Sequence, residues 1–515
     1  MQSRTENSKR NLVFGLLGRI VSIVLPFFSR TIIIYTLGVE YNGLGSLFGS
    51  ILTVLSLFEL GIGSAIVYGM YKPVIENDIE KINAYLSFFK KCYLVIGSIV
   101  LSIGLIIMPF LKFLVKESYP SDINIYMLFF IYLFSSVSSY FFFAYRASIL
   151  SATQRTDVIT KATTVAFIIK EISQIIVLLA FKSYLIYSLI IPATTILGNM
   201  IQYYTAKKMY PNIRPVGTLP VHEVKDVKER MVGLLFQKIG SIILSSVDTI
   251  VISAFLGLTV LGIFNNYHYI ISCLISVFAI IPSAIIPSIG NSIHTESVEK
   301  NYENFRLFHF IYIWAITFCC ACLLSLYQHF IIVWIGDEYL LEFGIVICLV
   351  VYFYTYKNTE ICYLFREAAG QWNEWKYVSL IAAIVNLVTN ILLVTRIGLY
   401  GILISTIICK LFIYLPFFSY PLFKSYFKSN EKYYQYVKYQ IAYMAIAAVI
   451  CFLTYSICTL LPPNGIPAFI GKIFLCIIVP NLLMVLAYHK TAEFKNLLQF
   501  MKRNILKRNT PTRVR

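Results

Sequence analysis

The chain of 515 residues is 58% hydrophobic, 16% aromatic and 13% charged, with a formal net charge of +18. A soluble domain is about 45–50% apolar and about 25% charged, so the composition excludes a water-soluble enzyme and leaves no sizeable ectodomain. The cations flank apolar runs, which is the arrangement that sets membrane topology rather than nucleic-acid binding.

Apolar runs of about 20 residues between polar breaks predict an all-α polytopic membrane protein with about 14 spans. The expected spans are 11–37, 43–71, 90–115, 123–147, 157–181, 183–206, 231–256, 259–291, 308–335, 342–365, 376–395, 398–423, 436–461 and 465–489. Merging the pairs at the tight turns around Lys182 and Arg396 gives about 12 instead.

The first span carries Arg19 and Arg30. A charge at membrane depth costs at least about 2.5–3.5 kcal/mol and usually faces a wet interior. Eleven residues apart on a helix, the two share nearly one side, roughly 16 Å apart along the axis. A cationic stripe inside a span suits an anion in a cavity, and arginine's planar fork matches phosphate. Arg30 also lies within reach of the outer interface, where snorkelling is the plain alternative.

Glu59 falls deep in the second span, and the fifth carries Lys170 beside Glu171, expected to point in different directions. The polar stretch 207–230 is expected to be a cytoplasmic linker with one interfacial helix. The seventh span carries Lys238, a third candidate for binding an anionic substrate, and Asp248 beside Ser245 and Ser246. Glu59 and Asp248 are candidates for a coupling proton or sodium ion. The alternative is structural pairing, Glu59 with Arg19 or Arg30, and Asp248 with a cation or hydroxyls.

Tyr267 and Tyr269 of the eighth span are candidate sugar-stacking rings. Prolines 26, 192, 282, 287 and 416 interrupt spans, where breaks permit bending. Cys319, Cys320 and Cys322 lie in an apolar run and read as small core residues rather than metal ligands; no metal site is expected. Lys357 and Glu360, three apart in the tenth span, can pair on one face, and Lys410 lies in the twelfth. With Lys170 they complete the buried charges that could reach a cavity.

Placing the amino terminus inside and alternating puts about 32 cations inside and five outside (Lys112, Lys116, Lys182, Arg396 and Lys472). Arg146, Arg366 and Lys376 count among the inside loops. This positive-inside bias predicts both termini cytoplasmic and an even number of spans.

An internal repeat is also legible. Leu37-Gly38-x-x-x-x-Gly43 recurs as Leu256-Gly257-x-x-x-x-Gly262, 219 residues later, and Leu178-Leu179-x-x-Lys182 recurs as Leu392-Leu393-x-x-Arg396 at 214. An offset spanning an even number of helices preserves orientation, so the repeat is parallel, with its pseudo-twofold along the membrane normal. The expected domains are an N-lobe over 1–206, the linker 207–230, a C-lobe over 231–423, a helix pair over 424–489 and a basic cytoplasmic tail over 490–515. Two six-helix lobes that rock around a central site are a transporter architecture. No GxxxxGK[ST], HExxH or GxSxG occurs, so no nucleotide, zinc-protease or hydrolase chemistry is expected.

The opening (GRIVSIVLPFFSRTIIIYTLGVEYNGLGSL, then LFELGIGSAIVYGMYKP) and the phrase SSVDTIVISAFLGLTVLGIFNNY resemble the polysaccharide transporters of the Wzx type, flippases for O-antigen and capsule repeat units. They belong to the superfamily of multidrug and toxin extruders and lipid II flippases. The resemblance implies a MATE-like pair of lobes, alternating access and a bacterial cytoplasmic membrane location. The implied substrate is an undecaprenyl-pyrophosphate oligosaccharide, with Arg19, Arg30 and Lys238 as the cavity cations. The implied partners are this lipid-linked sugar, membrane lipids, and the polymerase and chain-length machinery. No cofactor is implied beyond a proton or sodium gradient or the membrane potential. A multidrug or organic-ion exporter of the same fold is the alternative; its cavity would favour acids. A polymerase or ligase would carry a large outer loop, and none is expected here.

Overall fold

The computed structural model describes residues 4–59, 61–116, 119–371, 377–462 and 465–508. In chain order the helices are α1 (Arg4–Thr36), α2 (Val39–Leu55), α3 (Ile62–Glu76), α4 (Ile79–Ile107), α5 (Ile125–Phe141), α6 (Ala147–Ala152) and α7 (Thr156–Phe181). Then follow α8 (Tyr184–Met209), α9 (Val221–Leu256), α10 (Leu258–Phe278), α11 (Ile280–Thr295), α12 (Val298–Trp334), α13 (Phe343–Asn358) and α14 (Glu360–Ala368). The last are α15 (Val378–Ile397), α16 (Leu399–Ile408), α17 (Leu415–Pro421), α18 (Asn430–Cys458), α19 (Ile466–Tyr488) and α20 (Ala492–Arg508).

Side-chain caps mark where several of these begin. Asp78 accepts from the Lys81 N–H at 2.9 Å before α4, and Asn124 from Tyr126 and Met127 at 3.1 Å before α5. Ser297 and Ser429 do the same for α12 and α18. Each satisfies a backbone donor that a helix start leaves open.

Among the described residues, 11 helical stretches are long and apolar enough to cross a membrane, or 12 if one bent pair counts as a span. The turns at Lys182 (φ 47°) and Gly398 (φ 57°) separate distinct helices, so the shortfall from fourteen has another origin. Three expected spans are broken. The second splits into α2, a 3-10 turn over Ser56–Glu59, and α3, which starts after Gly61 at φ 88°. The fourth bends by 48° between α5 and α6, where Phe143 has φ 68°. The tenth divides into α13 and α14 at Thr359.

Three further expectations need amending. The interfacial helix foreseen in the linker is instead the first turns of α9, which runs unbroken from Val221. The basic tail contains α20, while residues 509–515 and Lys376 lie outside the described residues. Arg146 and Arg366 are not loop cations: they are 4% and 1% exposed, in the turn before α6 and in α14. Both lie beside broken spans, where an apolar run ends before the packed structure does.

The chain packs as two units, Met1–Asn266 with Ser379–Thr395, and Tyr267–Val378 with Arg396–Arg515. In the first, α1 packs on α7, α7 and α5 on α8, α4 on α3 and α5, and α2 on α9. Gly240 lets α9 approach the α15 backbone at Ser379, where a Cβ would clash. The segment before α9 is tied to α4: the Arg214 N–H donates to Asn83 Oδ1 at 2.7 Å, and Lys81 pairs with Glu223.

The two copies of the Leu-Gly repeat meet within this unit. Gly38 (φ 122°) and Gly257 (φ 93°) both occupy backbone conformations that favour glycine. A Cβ on Gly43 would fall within 3.0 Å of the Leu258 carbonyl oxygen, and one on Gly262 would do the same at Val39. Thr259 Oγ1 donates to Glu40 Oε1 at 3.0 Å across the seam.

In the second unit α12 is the centre, packed by α13, α18 and α19. His309 of α12 and Tyr436 both hydrogen-bond Gln440 of α18, and Arg306 of α12 pairs with Glu493 of α20.

Candidate functional site

α1 packs along α7 and brings Ser29 against it. Ser29, 3% exposed, donates to Glu171 of α7, which is equally buried. The other Glu171 oxygen pairs with Lys170 Nζ at 2.8 Å. The expectation that Lys170 and Glu171 diverge is therefore corrected. The lysine turns back along α7, with its ammonium 4.6 Å from the Phe167 ring centre, and its long stem closes the angle between adjacent helical positions.

Arg30 lies half-buried beside this pair, close enough for its charge to act on the hydroxyls of Tyr184 and Tyr187. Those two rings stack at 5.2 Å, and Gln174, 1% exposed, donates to the Tyr187 carbonyl at 3.2 Å. The result is a polar cluster of two half-buried cations and one buried carboxylate with a tyrosine wall. Sequence reading missed Ser29, Gln174 and Tyr187. Gln174 stands three residues after Glu171 in an apolar run, and that spacing is the signal that could have found it.

Arg19, three turns earlier on α1, is half-buried and has no carboxylate within ion-pair distance among the described residues. Lys238 on α9 is exposed, and its carbonyl accepts from Ser241 at 2.8 Å.

The acids have different surroundings. Glu59 sits at the α2–α3 break and pairs with neither Arg19 nor Arg30. Its two oxygens accept from Tyr93 of α4 at 2.9 Å and Tyr140 of α5 at 2.8 Å. Asp248 on α9 accepts from the Asn390 amide of α15 at 2.7 Å, and the same amide reaches Asn386 Oδ1 at 3.2 Å. Both asparagines are fully buried, and Asn390 Oδ1 has no hydrogen-bond donor among the described residues. A carboxylate and two amide oxygens at one helix crossing are the oxygen ligands that hard cations take.

In the second unit Lys357, 3% exposed, pairs with Glu360 at 3.2 Å across the α13–α14 break. Its Nζ lies 5.6 Å from the centre of the Tyr356 ring, and Lys410 Nζ lies 4.5 Å from the same ring. Lys410 belongs to a π-helical turn, Cys409–Tyr414, an irregularity that recurs at functional positions. Tyr356 is thus flanked by two cations with one carboxylate. Tyr267 is not a free stacking platform: it is fully buried, 5.2 Å from Tyr327, and its hydroxyl accepts from the Leu341 N–H.

The chain resembles known proteins in sequence and in fold. A family model described as "Polysaccharide biosynthesis protein" matches residues 8–292. No curated protein sequence matches the chain. A lipid II flippase MurJ in an inward closed conformation superposes with a TM-score of 0.62 at 16% identity, over 93% of this chain and 98% of that one. An inward-facing multidrug resistance MATE transporter superposes at 0.60 and 12% identity, over 79% of this chain and 96% of that one. An outward-facing MATE transporter gives 0.53 at 12% identity, over 81% and 95%. At these identities the likeness establishes the fold alone, the helical multi-pass membrane fold that these structures share.

Proposed function

The chain belongs to the polysaccharide biosynthesis protein family, and from that premise we propose that it is a flippase for undecaprenyl-pyrophosphate-linked oligosaccharide repeat units. The observation that carries this reading is the set of cations held among the helices of a MurJ-like fold: Arg19 and Arg30 on α1, and Lys357 and Lys410 around Tyr356. A sugar headgroup with two phosphates loses its hydration in hydrocarbon unless other polar groups replace it. Arginine forks and ammonium groups supply those partners, while the polyprenyl chain stays in lipid.

The rest of the mechanism belongs to the same proposal. Both termini are cytoplasmic, and the N-lobe 1–206 and C-lobe 231–423 are repeats related by a twofold along the membrane normal. The reciprocal contacts at Gly43 and Gly262 support that axis, because a twofold pairs each residue with its partner's equivalent. With this orientation the seam lies at the outer ends of α1 and α9, so it is the outer gate in its closed state. Asp248 with Asn386 and Asn390 binds the coupling cation. The products feed O-antigen, capsule or exopolysaccharide assembly through a polymerase and chain-length machinery in the cytoplasmic membrane.

The likeness to multidrug transporters favours a second reading, export of organic ions. Proteoliposomes separate the two. Appearance of an undecaprenyl-pyrophosphate oligosaccharide on the opposite leaflet supports the flippase, and organic-cation export without such movement replaces it.

A further inference from the structure

Arg146 is a buried cation that the transport reading does not use. It ends the 3-10 turn Ala144–Arg146 between α5 and α6, with its guanidinium 4.8 Å from the centre of the Tyr203 ring on α8. Its Nε and Nη1 are buried without an acceptor, and no carboxylate lies within ion-pair distance among the described residues. One turn before Tyr203, Asn199 Nδ2 is a second buried donor without an acceptor. Lys90 of α4 reaches over the neighbouring Tyr145 ring at 5.9 Å. Among the described residues, the buried groups around the α5–α6 bend that lack partners, on Arg146 and Asn199, are all donors.

Arginine keeps its charge in proteins, and a buried charge without a counter-ion is strongly disfavoured. A group of donors with no acid implies an anion. The planar guanidinium fork favours one with paired oxygens. Tyr203 lies 16 residues beyond Tyr187 on α8, roughly 24 Å along the axis, so this place is separate from the Arg30 cluster. Its cover is aromatic side chain: Phe143 and Tyr203 meet ring to ring at 4.6 Å, and such rings can turn aside without moving backbone.

We propose that Arg146, with Asn199 and Lys90, forms a second anion site at the α5–α6 bend, and that it takes a phosphoryl group. The group belongs either to an anionic lipid headgroup or to a free phosphate ester, and the test distinguishes them. Full-length protein in neutral detergent is titrated with inorganic pyrophosphate or with phosphatidylglycerol at matched ionic strength, with phosphatidylcholine as the neutral control, and the Tm is followed. The wild-type Tm rises with one of the anions, and Arg146→Gln weakens the apparent affinity about tenfold or more. Lys90→Gln, at an exposed position, weakens it less.

A response to pyrophosphate alone assigns the site to a free phosphoryl group, and a response to phosphatidylglycerol alone assigns it to lipid; both support the site. If Arg146→Gln does not fold, Arg146→Lys replaces it, because lysine keeps the charge but loses the fork. No wild-type shift with either anion, or an equal shift in wild type and the Arg146 variant, overturns the proposal. No transport is measured, so the outcome is independent of the flippase reading.

Discussion

Gly43 and Gly262 stand 219 residues apart and hold reciprocal places: Gly43 lies against the Leu258 carbonyl, and Gly262 against Val39, 219 residues before Leu258. Any side chain at either glycine meets the other copy's backbone. Gly43→Ala and Gly262→Ala should each lower stability by about 1–3 kcal/mol, the usual range for overpacking. Gly49→Ala, on the same α2 with nothing within 4 Å of a Cβ, should be neutral or slightly stabilising, because alanine is the better helix former. Thermal unfolding in detergent measures all three. Equal effects at Gly49 and at the seam glycines would remove the packing argument.

Arg30 stands in a polar cluster, whereas Arg19 has no carboxylate within ion-pair distance among the described residues. Arg30→Ala should reduce oligosaccharide translocation at least about tenfold, the scale of one charge-assisted hydrogen bond. Arg30→Lys should fall between that variant and wild type, since lysine keeps the charge without the fork. Translocation rates at equal folded-protein levels decide this. Wild-type rates in Arg30→Ala would leave the residue a structural role only.

Asp248 and its two asparagines make a separable claim. Asp248→Asn preserves the hydrogen bond, because the new amide oxygen accepts from the Asn390 N–H as the carboxylate does, yet removes the charge that a cation needs. Transport by this variant should lose its dependence on the sodium or proton gradient, with a rate roughly tenfold lower under a gradient. A gradient dependence identical to wild type would make the cluster a helix-to-helix clamp.

The long apolar spans, the two Leu-Gly turns and the Lys357–Glu360 pair were legible in the sequence, because each depends on hydropathy or on neighbours a few residues away. Gly38 and Gly257 reveal themselves by needing left-handed backbone, a local property. The partners of Glu59 were not legible: Tyr93 and Tyr140 lie on other helices, 34 and 81 residues on, and no spacing rule singles them out among 38 tyrosines. Arg146 and Arg366 were misread for a related reason. A cation near the end of an apolar run has the same sequence signature whether it enters water or turns into a packed bend.

The Lys357–Glu360 pair gives a stability test. Glu360→Ala leaves a nearly fully buried ammonium without its carboxylate and should cost about 3 kcal/mol, the lower end for a broken buried pair. The double variant Lys357→Met with Glu360→Leu should recover most of that loss, because it removes both charges and keeps the volume. If the double variant is as unstable as Glu360→Ala, the penalty comes from packing rather than from the orphaned charge.

The most direct measurement couples the seam to transport. Glu40→Cys with Thr259→Cys places two thiols where the side chains now hydrogen-bond at 3.0 Å, and a short bis-methanethiosulfonate reagent joins them until reduction. The full-length variant in proteoliposomes should move an undecaprenyl-pyrophosphate oligosaccharide before cross-linking, stop after it, and recover on reduction, while each single-cysteine variant is unaffected by the reagent. Translocation that continues with the seam locked, or that never occurs in the unmodified protein, would contradict an alternating-access flippase.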